Sequence, residues 1–116
     1  MSFLQEYREQ CRKREDQLRS ELKRIVNELV ALGAKKVILF GSLVTGDIRP
    51  WSDMDLLVIL PDDTNSKQWR DRMNDAVVRR VACDILIFNE RELEADLPVS
   101  IFLREVVSRG EVLYEQ

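Results

Sequence analysis

The run Leu56–Leu60, LLVIL, has no polar side chain on either face. A short apolar run bounded by turn residues reads as a strand buried on both sides. Two aspartates, Asp53 and Asp55, stand at its mouth with Met54 between them. Alternate residues of a strand point to one face, so the two carboxylates lie side by side and Met54 points away. Like charges held that close raise each other's pKa unless a cation sits between them. A hard divalent cation such as Mg²⁺ takes oxygen ligands and is often held by one or two carboxylates together with substrate phosphates. Upstream, Lys36–Phe40 reads as a second strand, and Gly41-Ser42 as the turn that leaves it. Glycine lets backbone approach a ligand closely, free N–H groups bind phosphate oxygens, and the Ser42 hydroxyl adds a donor. A phosphate cradle beside a carboxylate pair is suited to a metal-bound nucleoside triphosphate.

Composition narrows the chemistry further. The chain has 116 residues, which predicts one domain over 1–116. It has no histidine, so a Ser-His-Asp triad, a Cys-His pair and a zinc-histidine site are all excluded. Cys11 and Cys83 make neither a disulfide framework nor a zinc site. A net charge of −3 argues against a track for duplex DNA. No apolar run is long enough to span a bilayer and no signal-peptide pattern opens the chain, so a cytoplasmic protein is expected.

Helical spacing of Leu4, Tyr7, Cys11, Leu18, Leu22, Ile25, Leu29 and Leu32 predicts a long helix over Ser2–Leu32 ending at Gly33. The stripe breaks at Arg14 and Glu15, so the second half is expected to pack on the sheet and the first to project or meet a partner. A helical turn is expected over Leu43–Gly46 and a helix over Lys67–Arg80 with Trp69, Met73, Ala76, Val77 and Arg80 inward. A strand is expected over Val81–Phe88. A capping box is read at Asn89 and Glu92. Pro98 is read in the first turn of a last helix with Val99, Phe102, Leu103, Val106 and Val107 on its apolar face, and Glu111–Glu115 as a closing strand. Trp51 reads as a half-buried loop anchor or, with smaller weight, as a flank for a base. Asp62 and Asp63 lie at the far end of the strand from Asp53 and read as loop acids. Within the apolar strand Val81–Phe88, Asp84 is a lone carboxylate, costly to bury without a partner. It is either a structural or edge residue or, if this strand lies beside Asp53–Asp55, a third acid of the site. The fold class is α/β (α+β): helices against one short mixed sheet, with a long N-terminal helix.

Gly41-Ser42, ten intervening residues and then Asp53-Met54-Asp55 resemble the signature of the polymerase-β-type nucleotidyltransferase superfamily. The short chain resembles its minimal branch. The resemblance implies ATP as substrate and Mg²⁺ on Asp53, Asp55 and Asp84, the same residues being catalytic. It implies nucleotide contacts at Gly41, Ser42, Arg49 and Ser52. Many minimal members carry an arginine where this chain has Thr45, which leaves Arg49, or a partner, to supply that charge. It further implies a partner, a helical HEPN-domain toxin whose tyrosine receives AMP, and hence an antitoxin and a homo- or hetero-oligomer. Two other readings remain open: a regulatory module that acts by occluding its partner, and a nucleotidyltransferase for a small-molecule hydroxyl such as an antibiotic's.

Overall fold

The computed structural model describes residues 2–116. In chain order its elements are α1 (Phe3–Ala31), β1 (Lys36–Phe40), the single turn α2 (Ser42–Thr45), β2 (Met54–Leu60), α3 (Ser66–Ala76), β3 (Cys83–Asn89), α4 (Glu90–Asp96), α5 (Ile101–Arg109) and β4 (Glu111–Glu115). The strands form one sheet in the order β3-β2-β1-β4. β1 runs antiparallel to β2 and β4, whereas β3 runs parallel to β2, so the sheet is mixed. The parallel pair needs a crossover, which α3 supplies.

β2 is buried on both faces, as its sequence requires. Met54, Leu56, Val58 and Leu60 join Val37 and Leu39 under Leu18, Ile25, Leu29, Trp69 and Met73 of α1 and α3. Leu57 and Ile59 join Ile38 under Leu93, Leu103 and Val106 of α4 and α5. The odd-numbered positions of β2 therefore face the α4–α5 side, and Asp55 is the first of them within the strand. The chemistry thus sits at the end of a two-sided core strand, where a rigid backbone fixes its position.

α1 starts and stops on its own local signals. Ser2 caps it in a capping box with Gln5, each side chain bonding the other residue's backbone N–H. At the far end Gly33 takes a φ of 106°. The Ala34 N–H donates to the Leu29 carbonyl at 3.1 Å and the Gly33 N–H to Val30 at 2.9 Å, the two bonds of a Schellman motif. Trp69 of α3 is 1% exposed and donates its indole N–H to the Leu32 carbonyl at 2.9 Å, tying α3 to this helix end. Trp69→Phe removes that bond and leaves a small void. It is expected to lower unfolding free energy by about 1–2 kcal/mol, read from urea midpoints at unchanged slope.

Three expectations are corrected. α3 ends at Ala76: Val77 is extended, with φ −94° and ψ 114°, and is itself buried. β-branched Val77 and Val78 lose χ1 freedom in a helix, and turning Val77 into the core ends this one before Arg80. Ala76 and Arg80 are accordingly exposed, and β3 begins at Cys83, not Val81. Second, Ser100 is the N-cap of α5, accepting from the Leu103 N–H, so Pro98 lies ahead of the helix. Only Leu103 and Val106 of its predicted apolar face are buried, while Val99, Phe102 and Val107 are exposed. Third, Trp51 is 67% exposed and anchors nothing in the core. Among the described residues no helix is long and apolar enough to cross a membrane.

Candidate active site

The turn after β1 is built around one backbone conformation. Gly41 has φ 77° and ψ −150°, a region that is essentially glycine-only. Its carbonyl accepts from the N–H groups of Val44 and Thr45 at 3.0 and 3.1 Å, which winds Ser42–Thr45 into a helical turn. The first N–H groups of such a turn have no intrahelical partner and are left for an anion. A second constraint comes from the neighbouring strand: a Cβ at Gly41 would lie 2.2 Å from the Asp55 Oδ2. Turn and carboxylate are in direct contact, and only glycine allows it.

The three predicted aspartates gather at this end of the sheet. Asp55 pairs across the ladder with Phe40 on one side and with Asp84 on the other. Partners in register share a face, so Asp84 lies beside Asp55. Burial, then the charges of Asp84 and Asp53, push the Asp55 carboxyl from its ordinary 3.8 up to about 6. β3 is an edge strand and Asp84 is exposed, so no cost of burial demands a partner for it. What ties Asp84 to the site is its register beside Asp55 and the charge it sets against that carboxyl. Asp53 precedes β2 and is 43% exposed at the side chain. Among the described residues no three His, Cys, Asp or Glu side chains close into a ready-made metal cage. The donors are nonetheless carboxylate oxygens only, they repel one another, and the pair sits against a glycine turn. That set fits a hard cation completed by substrate phosphates, which is how Mg²⁺ is commonly held.

The loop between turn and strand is held from two sides. Ser52 is buried; its Oγ accepts from the Arg49 N–H at 2.7 Å and its own N–H donates to the Arg49 carbonyl at 3.0 Å. Its hydroxyl is thus engaged in shaping the loop. Arg49 pairs with Asp47 at 3.4 Å, and contact with Asp47 and then Tyr7 raises its pKa. From the other side, Arg14 of α1 donates from Nε to the Ser52 carbonyl at 2.7 Å, and its second guanidinium nitrogen lies 3.8 Å from the Asp53 Oδ1. The charged break in the α1 stripe is therefore a site contact. Sequence reasoning missed it, because its partners lie 38 and 39 residues away. Tyr7 and Arg14 also show that the first half of α1 does not simply project, although Phe3 and Leu4 at its tip are exposed.

A cleft of about 290 Å³ adjoins the turn on the α5 side, between Phe40, Gly41, Val44 and Thr45 and, opposite them, Phe102, Val106 and Arg109. Phe102 stands edge-to-face on Phe40, with centroids 5.8 Å apart. Helical spacing puts Phe102 on the apolar face of α5, and its ring forms a half-open wall beside the turn. A further cavity of about 310 Å³ lies by Lys35, Ile59 and Glu90, at the opposite end of β2 from Asp55. It has no glycine turn or aspartate pair and belongs to no chemistry described here. Cys83, beside Asp84, is pushed up to about 12 chiefly by burial, which keeps it a protonated, inert thiol.

Comparison with known proteins bears on this geometry. The profile of the family described as "Nucleotidyltransferase domain" matches residues 19–108. The match includes the turn and all three aspartates and leaves Arg14 outside. No curated protein sequence matches the chain significantly. Among solved structures, the crystal structure of a candidate nucleotidyltransferase from Sulfolobus solfataricus is similar, with a TM-score of 0.62 at 18% identity over 92% of this chain and 88% of that one. At that identity the likeness is one of fold.

Proposed function

The chain belongs to the nucleotidyltransferase domain family, and on that premise we propose that it transfers AMP from ATP to a hydroxyl on a protein partner, with Mg²⁺ held by Asp53 and Asp55. The observation that carries this reading is the contact between Gly41 and Asp55, in which a glycine turn with free N–H groups and a carboxylate share one surface. A nucleoside triphosphate laid on the Gly41–Ser42 turn has its phosphates beside that carboxylate. When bound, the cation would offset charge on the phosphates and on the attacking oxygen.

The chain's own residues account for the rest. Gly41 and Ser42 orient the triphosphate, and the cleft walled by Phe40 and Phe102 gives the nucleoside an apolar surface. Arg14 and Ser52 fix the loop that aims Asp53. Asp84, exposed beside Asp55, accepts the proton of the acceptor hydroxyl. That oxygen bonds to the α-phosphorus, the bond from the α-phosphorus to the departing oxygen breaks, and pyrophosphate leaves. Positioning supplies much of the rate in such a step, and no covalent enzyme intermediate is needed.

Among the described residues no enclosed pocket adjoins the carboxylates on the acceptor side, whereas small-molecule sites are normally concave and enclosed. This favours a macromolecular acceptor over an antibiotic. By its resemblance to minimal members of the superfamily, the partner is a HEPN-domain toxin and the chain its antitoxin. Intact-mass spectrometry tests the proposal. With ATP and Mg²⁺, a HEPN-domain protein that co-purifies with this chain is expected to gain one or more AMP units, and Asp53→Asn to give none. Labelling of an RNA end or an aminoglycoside in place of the partner would overturn the antitoxin assignment.

A further inference from the structure

The cleft between the glycine turn and α5 lies on the same face of the sheet as the Asp55 carboxylate. Phe40, one of its walls, is the cross-strand partner of Asp55, and partners in register share a face. α5 covers that face through Leu103 and Val106. Phe102, Glu105, Val106 and Arg109 recur at helical spacing, so one stripe of α5 looks across at Gly41, Val44 and Thr45. The stripe changes character along its length. Phe102 is aromatic and packs on Phe40. Arg109, about 10 Å farther along the helix, is the one cation among the described residues that line the cleft. Gly110 brings that end down onto β1: a Cβ there would meet Ile38 Cγ2 and the carbonyl oxygens of Val106 and Leu39.

Of the guanidinium groups around the turn, Arg109 is the least committed. The turn Ser42–Thr45 itself carries no basic residue. Arg14 donates to the Ser52 carbonyl. Arg19 donates to Glu15 and to the Leu43 carbonyl, at 2.8 and 3.1 Å. Arg49 is paired with Asp47 and lines no part of the cleft. Arg109 has one ion-pair partner among the described residues, Glu105 on its own helix at 3.3 Å, and the two side chains are 80% and 55% exposed. A pair so open to solvent holds its partners weakly, so Arg109 is free to turn to another anion. A triphosphate carries more negative charge than one divalent cation offsets.

We propose that Arg109 binds the phosphate tail of the triphosphate, reaching across the cleft from α5, and that Glu105 holds the guanidinium there until nucleotide arrives. The proposal rests on the transfer reading above and assigns the residue that distinguishes a triphosphate from a monophosphate. The Phe102 end of the stripe suits the nucleoside and the Arg109 end its phosphates. A guanidinium presents a planar fork of donors that matches phosphate oxygens. In that position it also offsets charge on the pyrophosphate as its bond to the α-phosphorus breaks. Glu105 competes for the same guanidinium and repels the phosphates, so it opposes binding.

The test titrates the full chain, in Mg²⁺, with ATP, AMP and inorganic tripolyphosphate. Arg109→Gln is expected to weaken ATP and tripolyphosphate about tenfold, as for loss of a charged contact, and AMP by less than about twofold. Arg109→Lys keeps the charge without the fork and is expected to weaken ATP only about threefold. Glu105→Gln removes the competitor and is expected to tighten ATP about threefold. Arg70→Gln deletes the same charge from the exposed side of α3, whose Trp69 and Met73 pack on the other face of the sheet, and is expected to leave all three ligands unaffected. Equal losses of ATP and AMP in Arg109→Gln, ATP affinity unmoved by that variant, or a loss matched by Arg70→Gln would overturn the proposal. So would weaker ATP binding in Glu105→Gln. Losses confined to ATP and tripolyphosphate, in a wild type that transfers AMP to no protein, would support the Arg109 contact and overturn the transfer reading alone.

Discussion

Asp55→Asn is expected to abolish nucleotidyl transfer while making the free protein more stable. Transfer should fall by about a thousandfold or more, since removing a charge aimed at the reacting phosphate commonly costs that much. The gain in stability has a separate origin. Burial and two neighbouring carboxylates lift the folded-state pKa of Asp55 to about 6, against 3.8 ordinarily. The folded chain therefore holds this proton more tightly than the unfolded chain. Stability contributed by the protonated group is fully present below pH 3.8 and is lost as pH rises from there through about 6. Above that pH the wild type keeps a constant penalty that the neutral asparagine lacks. Solvent on the open side of the site reduces the gain at neutral pH to about 1 kcal/mol, or about 4 °C in Tm. Thermal melts of the metal-free proteins from pH 4 to 8 should show the two curves separating between pH 4 and 6. A variant less stable than wild type at pH 8 would contradict the electrostatic account.

Gly41→Ala is the second large effect, and its cause is backbone and contact together. The φ of 77° with ψ −150° is strained for any side chain, at about 1–3 kcal/mol. The added methyl also meets the Asp55 Oδ2 at 2.2 Å, and since its nearest neighbours all belong to that one side chain, the carboxylate has to swing away from the turn. Relief requires the turn and the carboxylate to separate, and misplacement by about 1 Å can cost about a hundredfold in rate. Gly46→Ala is the matched control. Gly46 also has a positive φ, 85°, but nothing lies within 4 Å of its would-be Cβ. It is expected to lose about 1 kcal/mol of stability and to retain transfer within a few-fold. Equal transfer losses in the two variants would mean that the turn's conformation, not its contact with Asp55, governs the site.

Those residues were legible in the sequence because their signals are local. LLVIL requires a strand covered on both sides, and the two aspartates at its mouth follow from its alternation. Gly33 and the Asn89–Glu92 box mark helix ends through bonds spanning a few residues. What escaped were features set at a distance. Arg14 looks like a flaw in an apolar stripe until the fold brings Ser52 beneath it. Val99, Phe102 and Val107 have helical spacing, yet the short α5 covers only part of the sheet, so spacing overstated their burial. The end of α3 depends on Val77 turning into a core whose shape spacing does not encode. Asp84 was the most instructive case. Its proximity to Asp55 came from the register of β3 on β2, whereas the burial that made it conspicuous is not there.

The central claim is that the Gly41–Ser42 turn and the Asp53–Asp55 pair together hold a nucleoside triphosphate through a divalent cation. Calorimetric titration of the wild-type chain with ATP, in Mg²⁺ and again in EDTA, tests it most directly. Saturable one-to-one binding that appears in Mg²⁺ and disappears in EDTA is the predicted result. ATP binding of the same affinity in EDTA, or no binding in either buffer, would contradict it.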